Sequence, residues 1–246
     1  KELIKMRVQE PTLLIHGYSG TYFSFRKMLK RFAKNHWGEK SCIAIISRTG
    51  HIYFWGRPRS LIQVLFLENR DNVAHQVKWI WKLLNQLKTN YGIPHVNLVA
   101  HSMGCVSVLM YLNQYGYDER NSKVKRVVTM GAPFNDVEVG KRTPYIEDHP
   151  LTTTGPVEMS PLYRWMKVNN IGMPADIRFL NIAGNLQNGT FSDGQVSVNS
   201  ALSLRYLVRD VRRQYQEYII HGKQAEHSLL HENEQVDQII GKFLTH

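Results

Sequence analysis

The chain has 246 residues, of which 43% are hydrophobic and 21% charged, and its 31 Lys and Arg against 20 Asp and Glu give a formal net charge of +11. Such a composition supports a sizeable buried core and excludes disordered and fibrous classes. The strong positive balance favours anionic surfaces such as phospholipid, wall polymers or nucleic acid, and says nothing of fold.

The opening Lys1-Glu2-Leu3-Ile4 has no initiator Met and no apolar leader core, as expected of a processed or trimmed chain. Thr12-Leu13-Leu14-Ile15 reads as a short buried strand running into His16-Gly17-Tyr18-Ser19-Gly20-Thr21, and a helix is predicted from about Phe23 to His36. By itself that glycine-rich stretch could be any strand-to-helix turn. Cys42 to Ile46 and Ile52 to Trp55 are apolar runs separated by Arg48-Thr49-Gly50 and read as strands. Leu61 to Leu67 predicts a further strand, at an edge of the sheet. It is also the densest apolar run in the chain and far too short to span a bilayer, so a soluble chain without a transmembrane segment is expected. From Asp71 to Tyr91, Val73, Val77, Ile80, Trp81, Leu84 and Leu87 recur at helical spacing until Gly92-Ile93-Pro94 ends the segment.

The apolar strand Val96 to Val99 leads through Ala100-His101-Ser102-Met103-Gly104 into a helical segment from Cys105 to Tyr115. A serine on so sharp a turn is pushed out above the sheet edge, and the residues two before and two after it must be very small, as Ala100 and Gly104 are. This stretch resembles the nucleophile elbow of α/β-hydrolases in its lipase-like form, with Ala in place of the first Gly. The resemblance implies that Ser102 is a nucleophile. It also implies that the loop after His16-Gly17 turns a backbone amide toward it, so that Tyr18 and Met103 would donate the two N–H groups of an oxyanion hole. His16 and His101 are expected to order these loops by hydrogen bonding and not to act as bases.

Lys125 to Met130 reads as the next strand, ending in Gly131-Ala132-Pro133-Phe134. The stretch from Asn135 to Pro174 lacks a sheet pattern, and its length suggests an insertion over the site. A short helix starting near Ser160-Pro161 would carry Leu162, Trp165 and Met166, which are expected to line an apolar substrate wall with Tyr18, either as a cap or as an ordinary packed connection. Ile177 to Ala183 is a strand, and the loop beyond it contains Ser192-Asp193-Gly194-Gln195-Val196. Asp-Gly pairs are common in turns, yet hydrolases of this resemblance carry an S/N-D-G-x-V pattern here, which implies that Asp193 is the triad acid. Arg205, Arg209, Arg212 and Arg213 come with no nucleic-acid motif and read as a solvated face, so no nucleic-acid partner is expected. Tyr215 to Ile220 is the last strand, and Val236, Ile239, Ile240 and Phe243 mark a terminal helix. Between them stand His221, His227 and His231. His227 lies within the loop, from which a base can reach the serine, and is the preferred candidate, with His221 and His231 as alternatives.

Cys42 and Cys105 sit in apolar stretches without metal-ligand spacing, so two buried free thiols are expected. The order Ser102, Asp193, His227 is that of the α/β-hydrolases. The predicted architecture is therefore one α/β domain, a mostly parallel sheet with helices on both faces and an insertion at about 135–174. Together, H-G-Y-S-G-T, A-H-S-M-G, S-D-G-x-V and E-H-S-x-L-H-E-N resemble a largely uncharacterised group of cell-surface α/β-hydrolases of Gram-positive bacteria. That resemblance implies an exported location and a serine hydrolase; a triad of this kind needs no metal or organic cofactor, and a small-molecule or lipid ester is the expected substrate given the apolar residues around the nucleophile, with amide, thioester and acyl-transfer chemistry open to the same residues. The alternative from another class is a non-catalytic protein that keeps the fold and uses its basic charge to hold an anionic surface or wall polymer.

Overall fold

The computed structural model describes residues 10–140, 145–208 and 214–245. In chain order the elements are β1 (Thr12–Ile15), α1 (Arg26–Lys34), β2 (Lys40–Ile46), β3 (Ile52–Gly56), β4 (Leu61–Phe66), α2 (Val73–Tyr91), β5 (His95–His101), α3 (Met103–Tyr115), β6 (Lys123–Met130), α4 (Pro161–Asn169), β7 (Arg178–Asn185), α5 (Val198–Leu202), β8 (Tyr215–His221) and α6 (Glu234–Thr245). The strands form one sheet in the order β3-β2-β4-β1-β5-β6-β7-β8. Every neighbouring pair is parallel except β2 with β3. Strands buried on both sides need apolar residues at every position, and the Leu, Ile and Val runs of β1, β5 and β6 supply them.

Two apolar layers follow from strand alternation. Leu13, Ile15, Ile62, Val64, Leu98 and Val127 face the side covered by α2, α3 and α4. Leu14, Leu61, Val99, Val128, Leu180 and Ile182 face α1 and α6. An ion pair between Arg31 and Asp237 joins those two helices. Helix α2 begins where the Asn72 side chain accepts the His75 N–H at 3.0 Å, and it ends at Gly92 in the left-handed region. The Ser160 hydroxyl caps α4 by accepting the Tyr163 N–H, with Pro161 in the first turn as the sequence suggested.

Leu61 to Leu67 was expected at an edge, but β4 lies inside the sheet between β1 and β2. Its residues are buried apart from half-buried Leu65, and β3, with exposed Tyr53 and Trp55, forms the edge instead. Gln63 is tolerated in this interior strand because its amide nitrogen donates to the carbonyls of Tyr22 and Ser24. Cys42 and Cys105 are free and buried, and burial raises both thiol pKa values, that of Cys42 to about 11. Arg205 pairs with Glu217, while Arg209, Arg212 and Arg213 lie outside the described residues.

Candidate active site

The turn from β5 to α3 holds Ser102 at φ 55° and ψ −131°, a conformation that an L-residue adopts only when its surroundings enforce it. The enforcement comes from hydrogen bonds and close packing. Ser102 N–H donates to the Met130 carbonyl at 2.9 Å, and Cys105 N–H returns to the Ser102 carbonyl at 2.9 Å. A Cβ on Gly104 would stand 2.7 Å from the His16 carbonyl oxygen and 2.9 Å from that of Ile15, so α3 can approach β1 only with glycine there.

Ser102 Oγ lies 2.9 Å from His227 Nε2, and His227 Nδ1 lies 2.7 Å from Asp193 Oδ2. Because a carboxylate only accepts, Nδ1 carries the proton and Nε2 is left to accept the Ser102 O–H. Asp193 is buried, and its other oxygen accepts the Gln195 and Val196 N–H groups at 2.9 and 2.7 Å. The loops are also tied through the main chain, where His227 N–H donates to the Asp193 carbonyl at 2.9 Å. His227 opens a short 3-10 turn, His227–Glu232, beyond β8. His221 is the exposed last residue of β8, and His231 lines the cleft with Nδ1 3.2 Å from Glu232.

Two histidines order the surrounding loops. His16 Nε2 accepts the Phe66 N–H at 3.1 Å, which requires Nδ1 to hold the proton and donate to the Gly17 carbonyl at 2.8 Å. Gly20 N–H donates to that same carbonyl at 3.2 Å. With the Gly17 oxygen held in this way, planarity points the Tyr18 N–H from the opposite edge of the peptide. A Cβ on Gly17 would lie 2.7 Å from Ser102 Cβ and 3.3 Å from the Met103 nitrogen, so the peptide passes directly over the elbow. Met103 N–H belongs to the first turn of α3, where amides lack an intrahelical acceptor. His101, on the other side of the serine, donates from Nε2 to the His227 carbonyl at 2.8 Å. Burial, then the neighbouring His227 and His231, hold its pKa well below the ordinary histidine value and keep it neutral.

These residues open into a cleft of about 680 Å³. Its walls include Tyr18, Phe23, Pro133 and Val196, together with Arg70, Asp136, Glu138 and Gln195. Leu162, Trp165 and Met166 do not line it. Met166 is buried in the layer between the sheet and α3, with Leu162 and Trp165 packed against that layer, so the apolar side of α4 belongs to the core and not to a substrate wall. The long stretch after β6 contributes Asp136, Glu138 and Gly140 to the cleft instead. Asp136 was not singled out from sequence. Its carboxyl is pushed up to about 7 by burial, with Glu147 adding to the rise and a hydrogen bond from Ser200 Oγ at 2.5 Å opposing it. Gly131 was missed as well: a Cβ there would stand 2.9 Å from Asp193 Oδ2 and 3.1 Å from His227 Nδ1. Among the described residues no cluster of His, Cys, Asp and Glu is arranged to hold a metal ion, and no helix is long and apolar enough to cross a membrane.

A strained serine between a parallel strand and a helix, on a mostly parallel sheet flanked by helices, defines the α/β-hydrolase class. Within that class, the chain belongs to the family described as alpha/beta hydrolase of unknown function (DUF915), whose family model matches residues 2–246. It is similar to a Listeria innocua gene product, with 26% identity, a TM-score of 0.86, and 96% of this chain and 94% of that one covered. A Lactobacillus plantarum protein described as a candidate cell-surface hydrolase matches at 19% identity and TM-score 0.73 over 97% and 90% of the two chains. A Bacillus licheniformis lipase in its mature form shares the fold at 13% identity and TM-score 0.60, over 97% and 93%.

Proposed function

We propose that this α/β-hydrolase is a serine esterase, in which Ser102, His227 and Asp193 are the catalytic triad and the Tyr18 and Met103 amides form the oxyanion hole. The observation that carries this reading is the continuous relay from Ser102 Oγ through both nitrogens of His227 to a buried, doubly held carboxylate at 2.9 and 2.7 Å. In the first half-reaction His227 Nε2 takes the Ser102 proton as Oγ attacks the acyl carbonyl. Asp193 holds the tautomer and stabilises the imidazolium, and the two amides receive the developing oxyanion. His227 then gives its proton to the departing alcohol, leaving an acyl-serine. In the second half-reaction the neutral imidazole activates water, and hydrolysis returns the free enzyme.

A small-molecule or lipid ester is the substrate class we favour. Tyr18, Phe23, Pro133 and Val196 offer an acyl chain some apolar surface, while the polar groups opposite suit an oxygen-bearing alcohol portion. Thioesters, amides and acyl transfer use the same constellation, and a lipase of the same fold favours the ester. The resemblance to a candidate cell-surface hydrolase supports action outside the cell.

A fluorophosphonate probe tests the reading, because it reacts readily only with a base-activated serine beside an oxyanion hole. Mass mapping is expected to find the adduct on Ser102 and to find none on Ser102→Ala. An unlabelled wild-type protein would overturn the proposal, and labelling of Ser102→Ala would move the nucleophile elsewhere.

A further inference from the structure

The two faces of the sheet are covered unequally. On the side of α1 and α6 the buried layer takes residues from β1, β5, β6, β7 and β8, only Leu61 from β4, and none from β2 or β3. The registers Trp55–Ile43–Gln63 and Tyr53–Ile45–Leu65 run across β3, β2 and β4 on that side. Trp55 is 71% exposed and Tyr53 57%, Ile45 and Leu65 are half-buried, and Ile43 and Gln63 are buried, so the exposed part of this face is β3.

Two further exposed rings stand on this side, next to the cleft. Gln63, in the same row as Trp55, holds the carbonyls of Tyr22 and Ser24, so the loop before α1 lies over β4. Tyr22 is 43% exposed and Phe23 64%, their rings are 5.7 Å apart, and Phe23 lines the cleft mouth. Scattered exposed aromatics need no explanation, but Tyr53 and Trp55 stand on the same side of the sheet as the loop that presents Tyr22 and Phe23, which Gln63 of the same row holds in place.

These rings are bordered by basic residues. The Lys40 ammonium sits 4.6 Å from the Tyr22 ring centre and 3.2 Å from its hydroxyl, and Arg26 lies over Phe23. Arg57 and Arg59 follow β3, both exposed, against Glu39 beside Lys40. Two copies of this chain meeting here would oppose like charges, on molecules of net charge +11. Tryptophan and tyrosine rings with Lys and Arg around them suit the headgroup region of a negatively charged bilayer, where rings find an apolar body and a wet edge and cations find phosphate.

We propose that the exposed face of edge strand β3, carrying Tyr53 and Trp55, together with Tyr22 and Phe23, docks the protein onto anionic phospholipid and seats the cleft mouth at the membrane surface. This goes beyond the esterase reading and does not depend on it. The full chain is sedimented with phosphatidylglycerol vesicles and with phosphatidylcholine vesicles at about 0.1 M salt. Binding is expected to the first and not the second, weakening as salt rises. Tyr53→Ala with Trp55→Ala should lower partitioning at least tenfold, and each of Arg57→Glu and Arg59→Glu at least about fivefold. Lys82→Glu with Lys88→Glu, on α2 across the sheet, should change it far less. Thermal melting is little changed by the Tyr53 and Trp55 substitutions, which reports that the variants fold. Quenching of wild-type fluorescence by brominated phosphatidylglycerol, lost in Trp55→Phe, would show that the ring enters the bilayer. Equal binding to both vesicle types, undiminished binding of the Tyr53 and Trp55 variant, or a dimer abolished by that variant without any vesicle binding would overturn the proposal.

Discussion

The imidazole of His101 donates from Nε2 to the main-chain carbonyl of His227 at 2.8 Å, and the two rings stand 4.7 Å apart. The residue before the candidate nucleophile thus holds the backbone of the candidate base. The bond requires a proton on Nε2, and burial keeps the ring neutral, which leaves Nδ1 without one. His101→Phe keeps the volume, removes the donor and leaves a buried carbonyl without its partner. Because displacement of a reacting group by about 1 Å can cost on the order of 10²-fold, kcat on a p-nitrophenyl ester should fall by roughly that factor with KM little changed. His101→Gln, which can still donate, should recover part of the loss. A His101→Phe enzyme as active and as readily labelled as wild type would show that the bond does not position the base.

The triad makes a sharper prediction. His227→Ala should lower kcat by several orders of magnitude, and Asp193→Asn by about a thousandfold or more, because the amide favours the wrong tautomer. Removing both should cost far less than the product of the separate losses, since residues acting as one unit are not additive. His221→Ala and His231→Ala should stay within about tenfold of wild type. Steady-state kinetics on the four single variants and the double variant decide it. Multiplicative losses in the double variant would mean that Asp193 acts elsewhere.

The continuous apolar runs of the strands and the small residues around Ser102 were legible because each is a local pattern with one geometric solution, while Asp193 and His227 were named through the resemblance of their loops to those of hydrolases. Packing of Leu162, Trp165 and Met166 against the core was not, because apolar residues at helical spacing report that a face is covered without saying by what. Helix α4 lays that face on α3, which a cap over the cleft would have produced equally well in the sequence. The edge position assigned to Leu61–Leu67 failed for a related reason, since strand order across a sheet is set by contacts distant along the chain. Gly131 and Asp136 were illegible because their partners, Asp193 and Ser200, lie about sixty positions away.

Gly131 tests that long-range contact. It has φ 56°, and an added Cβ would press on both Asp193 and His227. Gly131→Ala should therefore lose most activity, in addition to about 1–2 kcal/mol of backbone strain. Gly189 is the control, at φ 92° with nothing within 4 Å of its added Cβ. Gly189→Ala should share the strain and keep the activity. Thermal melts and ester turnover on both variants separate the two effects, and equal activities in the pair would remove Gly131 from the site.

Asp136 gives the protein a pH-dependent term of known sign. Its folded-state pKa of about 7 stands above the unfolded value near 3.8. Below pH ~3 the group is protonated in both states and contributes no difference. As pH rises from about 4 to 7 the unfolded chain ionises while the folded one resists, so this residue lowers stability progressively and reaches a plateau above the folded pKa. The full difference is bounded at about 4 kcal/mol, from about three units at 1.36 kcal/mol each. The groups acting on it are Glu147 and Asp193, which raise the pKa, and Ser200 and His227, which lower it. Asp237, raised to about 6 chiefly by burial, contributes a slope of the same sign, so the informative quantity is a difference between proteins. Urea midpoints for wild type and Asp136→Asn at intervals from pH 4 to 8 should diverge, with the variant gaining on wild type toward pH 7 and the gap constant beyond. Parallel curves across that window would show that Asp136 ionises alike in the folded and unfolded chain, and that the carboxyl in the cleft wall is charged whenever the enzyme works.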